Sequence, residues 1–69
     1  MCYWYERGGN YIRCEVHRVD RHFELVIVCP HGTTSIERYT NSEDVLNRQT
    51  ALQQSLLGGG WNGPHGRHV

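Results

Sequence analysis

Lysine is absent from this chain of 69 residues, so each fixed side-chain positive charge is the guanidinium of one of seven arginines. Seven acidic residues balance them, and the formal net charge is zero. A protein that binds nucleic acid in general needs an excess of positive charge to neutralise phosphates. The composition therefore argues against a general nucleic-acid-binding protein.

Long apolar runs and a paired set of cysteines are also missing. No stretch reaches the roughly 18 apolar residues that a membrane-spanning helix needs. Residues 1–6 contain no basic region followed by an apolar stretch, so we expect no signal peptide. The three cysteines are an odd number, and their spacing matches no disulfide framework. We therefore expect a reduced, cytoplasmic protein with no membrane contact.

What is present is a regular plan for one small domain. Turn sequences rich in glycine, proline or aspartate divide the first 40 residues into four extended segments. The predicted strands are 2–6, 11–19, 22–29 and 33–40. A helix follows, so the pattern predicts an α+β fold in the order ββββα. It is a four-stranded antiparallel meander with one C-terminal helix packed on one face.

The sequence favours one register for the hairpin formed by the second and third strands. If Asp20-Arg21 is the turn, Val16 lies opposite Leu25 and Cys14 lies opposite Ile27. Every inward residue then meets an inward residue, whereas a slip of one position would oppose apolar and charged side chains.

The first and fourth strands leave alternatives open. A two-residue loop in the first hairpin places Tyr3 and Tyr5 in the core, and a three-residue loop places Cys2 and Trp4 there. We favour the second, because tryptophan carries the larger apolar area. In the fourth strand, Ile36 and Tyr39 cannot share a face unless a bulge intervenes.

The helix has a capped start and an apolar stripe. Asn41 or Ser42 caps it, and Gly58-Gly59-Gly60 ends it. Gln49 and Gln53 interrupt the stripe. We expect the helix to meet the sheet on its Val45, Leu52 and Leu56 edge, which leaves both amides facing water. The alternative is a hydrogen-bonded pair of the two amides in a partner interface. The stripe consists of Val45, Leu46, Leu52, Leu56 and Leu57.

The C-terminal residues are rich in glycine. We expect Trp61 to close the end of the core, so the predicted domain spans 1–61 and a flexible tail spans 62–69. His65 and His68 lie in that tail, and two histidines fall short of the three converging ligands that a metal site needs. Cys29-Pro30-His31 is similar to a haem-ligand motif, but the turn already explains its proline. We predict no cofactor and no metal.

No catalytic arrangement emerges from the thiols and the histidines. Cys14 and Cys29 share a face but are offset diagonally, which predicts free thiols. Cys2 is expected to be the accessible and reactive thiol. Cys14 and His17 point to opposite faces, and a contact between His17 and Glu24 would lie on an open sheet surface. We therefore predict that the protein is not an enzyme.

The face of the sheet that one helix leaves uncovered is the predicted binding surface. Its side chains mix apolar and charged groups, with Ile36 as a further candidate, and a chain of this size often gains stability by association. A homodimer through this face, an edge strand or the helix is therefore expected. The predicted binding residues are Tyr11, Arg13, Glu15, His17, Val26 and Val28.

Nearly the whole chain resembles small bacterial proteins of unknown function. The resemblance rests on Trp4-Tyr5-Glu6, residues 12–16, the Pro30 and Gly32 turn, and Glu37-Arg38-Tyr39, followed by a helix that closes on Gly60-Trp61. It implies the ββββα fold and brings no activity. The strand order is also similar in topology to PUR-repeat and transcriptional-coactivator proteins, which bind single-stranded nucleic acid on an aromatic and basic sheet face.

The sequence thus predicts a small non-catalytic protein-interaction module that binds a protein partner on its open sheet face, with a homodimer as a further expectation. The alternative is binding of single-stranded nucleic acid through Tyr11, Arg13 and Trp4, against which Glu15, Glu24 and the zero net charge argue.

Overall fold

The computed structural model describes residues 1–66, which form one antiparallel sheet and one helix. Four strands form a meander, after which the helix α1 packs on one face of the sheet and a fifth strand follows. The expected α+β class is confirmed. The helix is neither long nor apolar enough to cross a membrane. The strands are β1 (Cys2–Arg7), β2 (Asn10–Val19), β3 (His22–Val28), β4 (Thr34–Tyr39) and β5 (Asn62–His65), and α1 is Ser42–Gly58.

The sheet has five strands, in the order β4-β3-β2-β1-β5, where four were predicted. The additional strand, β5, comes from the segment 62–69 that was predicted to be a flexible tail. It pairs antiparallel with β1, and residues 67–69 of that segment lie outside the described residues. Gly63 permits the pairing, because a Cβ there would come 2.8 Å from the Tyr5 ring and 2.9 Å from the Trp4 carbonyl oxygen.

The favoured loop of the first hairpin is wrong. Arg7 lies opposite Asn10, so Gly8 and Gly9 form a two-residue loop. Tyr3 and Tyr5 are each 1% exposed in the core, whereas Trp4 lies on the opposite face. The apolar area of tryptophan favoured the other loop, but both faces of this sheet carry aromatic rings, so size alone does not decide the register.

The second hairpin has the predicted register. Val16 lies opposite Leu25 and Cys14 opposite Ile27, with Asp20 at a positive φ of 53° in the turn. β4 then pairs regularly with β3, which settles the alternative in the fourth strand: Ile36 faces away from the helix and is 56% exposed.

α1 faces the sheet with the predicted edge of Val45, Leu52 and Leu56. The Asn41 side chain caps α1 by accepting from the Asp44 N–H at 2.9 Å. Val45 is buried, and Leu52 and Leu56 pack on the core, but Leu46 and Leu57 are exposed. Gln49 completes the stripe at helical spacing.

Gln49 is buried in the core of its own chain, which neither expectation for the two amides anticipated. It is 5% exposed, and its Nε2 donates to the Tyr3 hydroxyl at 2.8 Å. Gln53 is half-buried. The hydrogen bond satisfies a polar group that would otherwise lose its hydration without compensation.

Arg7 and Trp61 close the C-terminal end of α1. The Arg7 guanidinium lies 4.8 Å from the centre of the Trp61 ring and donates to the Gly59 carbonyl at 2.8 Å. Trp61 is half-buried and packs against the core. A cation at this end of a helix is favourable, because the last carbonyls carry partial negative charge.

Replacing Tyr3 with phenylalanine removes the hydroxyl that accepts from Gln49. We expect the free energy of unfolding to fall by about 1–3 kcal/mol, because a buried amide loses its acceptor. The double variant Tyr3→Phe/Gln49→Leu should recover part of that loss, since neither polar group is left buried. Urea denaturation of the four proteins measures the coupling, and simple additivity of the two single losses would contradict it.

Replacing Gly63 with alanine should detach β5 from β1. The new Cβ would collide with Tyr5 and the Trp4 backbone, and the φ of 143° at this position disfavours any L side chain. Hydrogen exchange of the β5 amides should accelerate. Gly58→Ala is the matched control, because a Cβ there meets nothing within 4 Å. Unchanged β5 exchange in Gly63→Ala would show that the close approach is not needed.

Candidate functional site

The sheet face opposite α1 carries all six residues predicted to bind. The register places Arg13 opposite Val28, Glu15 opposite Val26 and His17 opposite Glu24, and Tyr11 shares their side of β2. The six side chains therefore form one continuous surface, here called the open face. Its exposure differs along its length, since Tyr11 is 56% exposed and the two valines are half-buried.

Trp4 and Ile36 complete the open face. Trp4 lies opposite Arg13 and is 40% exposed, and its ring centre is 5.8 Å from that of His65 on β5. Trp4, Tyr11, Arg13 and Val28 line a shallow open groove. The favoured loop of the first hairpin had turned Trp4 inward, although the Gly-Gly pair, a signal for two-residue turns, indicated the register that turns it outward.

Glu15 organises the charges at the centre of the open face. Its two carboxylate oxygens are 3.1 Å from Arg13 Nε and 3.0 Å from His17 Nε2. The predicted contact between His17 and Glu24 does not form, although the two residues are opposed in the register. Glu24 contacts Arg38 instead, because β4 brings that guanidinium to the other side of β3.

β4 forms one ion pair on each face of the sheet, with β3 on the open face and with α1 on the helix side. On the open face, Arg38 Nε donates to Glu24 at 3.0 Å, and this hydrogen bond lowers the pKa of Glu24, with His22 Nε2 adding a weaker contact at 3.5 Å. On the helix side, Arg48 donates to both oxygens of Glu37, at 2.8 and 3.2 Å, and lowers its pKa.

Glu37 also accepts from the Tyr39 hydroxyl at 2.6 Å. That hydrogen bond raises the pKa of Tyr39, because losing the proton would place two negative charges side by side. Glu37 in turn raises the pKa of Arg48. The three side chains act together as a polar contact between β4 and α1.

The three cysteines are free thiols in different surroundings. Cys14 is fully buried, and its burial raises its pKa to about 11, so it is a neutral thiol near pH 7 and a poor nucleophile. Cys2 is exposed, as expected of the accessible thiol. Cys29 is half-buried at the start of the Pro30 turn, where its carbonyl accepts from the Gly32 N–H at 2.9 Å.

The four described histidines lie on β2, on β3, in the Pro30 turn and on β5, at positions 17, 22, 31 and 65. Within residues 1–66, no group of three or more histidine, cysteine, aspartate or glutamate side chains is placed to hold a metal ion. His65 is on β5 beside Trp4, and its predicted neighbour His68 lies outside the described residues.

Comparison of the chain with protein-family models, with curated proteins and with solved structures finds no match. The resemblance to small bacterial proteins of unknown function therefore stays a prediction, and the function has to be argued from the geometry of the open face.

Acid should weaken the attachment of β4. The pKa of Glu24 and that of Glu37 are lowered from 4.5 in the folded chain, so the unfolded chain binds these protons more readily. Their contribution to stability is complete above that value and is lost as the pH falls through the lowered pKa values. We expect the free energy of unfolding to fall between about pH 5 and about pH 3, less steeply in Glu37→Gln.

Glu43→Gln is the control for that experiment, because Glu43 is exposed in the first turn of α1. Its pH dependence, measured by denaturant unfolding at each pH, should follow that of the unmodified chain. Equal slopes for Glu37→Gln and the unmodified chain would show that Glu37 does not couple stability to protonation.

Proposed function

We propose that this protein is a small non-catalytic interaction module and that its open face binds a protein partner. The observation that carries the proposal is the groove in which Trp4, Tyr11 and Val28 surround Arg13. Tryptophan, tyrosine and arginine are the residues that most often supply binding energy in protein interfaces. Two aromatic rings on a rigid sheet present large contact area at low cost in side-chain entropy.

The charges of the open face support a protein partner more than a polyanion. Arg13 and His17 both contact Glu15, and Arg38 contacts Glu24, so the guanidinium groups of Arg13 and Arg38 already have acidic neighbours. A phosphate backbone approaching Arg13 would also approach Glu15. A protein surface of mixed charge can match both signs, which favours specificity over long-range attraction.

The chemistry of the face supports a role without catalysis. Glu15 and His17 are in contact at 3.0 Å on an open surface, where water screens the charge of the carboxylate. A side chain is an effective general acid or base when its pKa is shifted and when the site around it excludes water. The thiol with a strongly shifted pKa, Cys14, is shifted toward the unreactive neutral form.

Single-stranded nucleic acid is the second candidate ligand, because the same groove combines two aromatic rings with an arginine. Trp4 and Tyr11 are positioned as two stacking surfaces beside a guanidinium, and stacking of a base on an aromatic ring contributes about 1–3 kcal/mol. This candidate requires binding that weakens with salt, because phosphate contacts release counterions.

Variants of Tyr11 and Arg13 test the proposal. Tyr11→Ala and Arg13→Ala should each weaken binding to the protein partner by tenfold or more, about 1.4 kcal/mol, without unfolding the chain, because both side chains are exposed. Proteins captured on the immobilised chain are identified, and one that both variants lose is purified and titrated into the nitrogen-15-labelled protein. Leu46→Ala, on the exposed side of α1, is the control and should bind normally.

The NMR shifts decide between the candidates. Shifts confined to the open face on adding the purified protein support the proposal, and shifts on α1 would overturn it. A short mixed-sequence DNA oligonucleotide at low salt is the second titrant. Shifts of Tyr11 and Arg13 with DNA, lost at high salt, would favour nucleic-acid binding instead.

A further inference from the structure

β4 is an edge strand with little protection against pairing. Among residues 1–66 it pairs only with β3, and its six residue pairs run without a bulge. Edge strands usually carry proline, lysine or a bulge that prevents another strand from adding. Residues 34–39 contain neither proline nor lysine. The two charged residues of β4, Glu37 and Arg38, are already bound to Arg48 and to Glu24.

The opposite edge of the sheet is a poorer template. β5 has four residues, and its pairing with β1 is irregular between Trp4 and Glu6. Pro64 lies within it and has no N–H to donate to a further strand. The two edges are therefore unlike, and β4 is the edge at which a regular ladder can continue.

We propose that β4 pairs antiparallel with β4 of a second copy of this chain, centred on Ile36. A two-fold axis normal to the sheet keeps both helices on one side, so opposed residues share a face. Within the bounds of β4, only registers centred on Ile36 or on Glu37 overlap five residues of each strand, 34–38 or 35–39.

Side-chain chemistry selects between those two registers. Centring on Glu37 would oppose the two Glu37 carboxylates and place Ile36 opposite Arg38, and like charges that face each other directly destabilise a sheet. Centring on Ile36 pairs the two isoleucines, with Glu37 opposite Ser35 and Arg38 opposite Thr34. Ile36 is 56% exposed in the single chain, so this register also covers apolar surface.

The pairing would join two five-stranded sheets into one sheet of ten strands, with the open faces side by side. A net charge of zero means that the two copies do not repel each other as wholes. The proposal concerns the backbone edge and does not depend on which ligand the open face binds.

Cysteine cross-linking tests the register. Cys2 and Cys29 are replaced by serine, and the buried Cys14 is kept. Ile36→Cys is compared with Glu37→Cys, which reports the other register, and with the controls Arg38→Cys and Leu46→Cys. Directly opposed residues have Cα atoms about 4.5–5.5 Å apart, within the range that a disulfide bridges. Ile36→Cys should cross-link about tenfold faster than either control under mild oxidation. Equal rates would overturn the register, and a fastest Glu37→Cys would favour the other one.

Sedimentation equilibrium tests the association without oxidant. The unmodified chain should associate as its concentration rises to hundreds of micromolar. Ser35→Glu, on the helix side of β4, should stay monomeric because it places a carboxylate opposite Glu37 of the second copy. Tyr11→Ala, which impairs the open face, should associate normally. A monomeric unmodified chain at that concentration overturns the proposal. Association lost in Tyr11→Ala but kept in Ser35→Glu would assign the contact to the open face instead.

Discussion

The hydrogen bond between Tyr3 and Gln49 determines how the rest of this small domain is arranged. It lies among apolar side chains, so breaking it leaves a polar group buried without its partner, and that penalty fixes which side of α1 faces the sheet. It also requires Tyr3 to point toward the helix. Since neighbours along a strand point to opposite faces, Trp4 must then lie on the open face. One core contact thus determines which aromatic residue is available for binding.

The parts of the fold that the sequence predicts are those in which one face differs clearly from the other. β2 and β3 alternate apolar and charged residues, so their register follows from pattern alone. β1 has large aromatic residues on both faces, and no alternation separates them. Gln49 was expected to face water because its amide is polar, although it sits at helical spacing between Val45, Leu52 and Leu56. β5 has no strand pattern, and its pairing depends on how closely Gly63 approaches β1.

On the open face too, the residues predicted correctly come from strands whose two faces differ clearly in polarity. Six residues of the face come from one hairpin, and their alternation was sufficient to bring them together. Trp4 belongs to the ambiguous hairpin and was turned the wrong way. The acidic residues were placed on the correct face, but Glu24 was paired with His17 because the position of Arg38 depends on the register of β4. The alternation of residues predicts which side chains of two neighbouring strands share a face. Which of them a charged side chain contacts depends on the register of every strand around it.

The contacts of four arginines explain why lysine would not serve in their place. Arg7 lies on the Trp61 ring, Arg13 and Arg38 contact carboxylates of the open face, and Arg48 holds β4 to the helix. These contacts use the flat guanidinium, whose fixed donors suit carboxylates and aromatic faces better than an ammonium group does. Charge is therefore balanced around Arg13, Arg38 and Arg48 as well as over the whole chain. A surface of this kind attracts partners weakly at a distance, so its selectivity has to come from apolar contact, stacking and backbone pairing at short range.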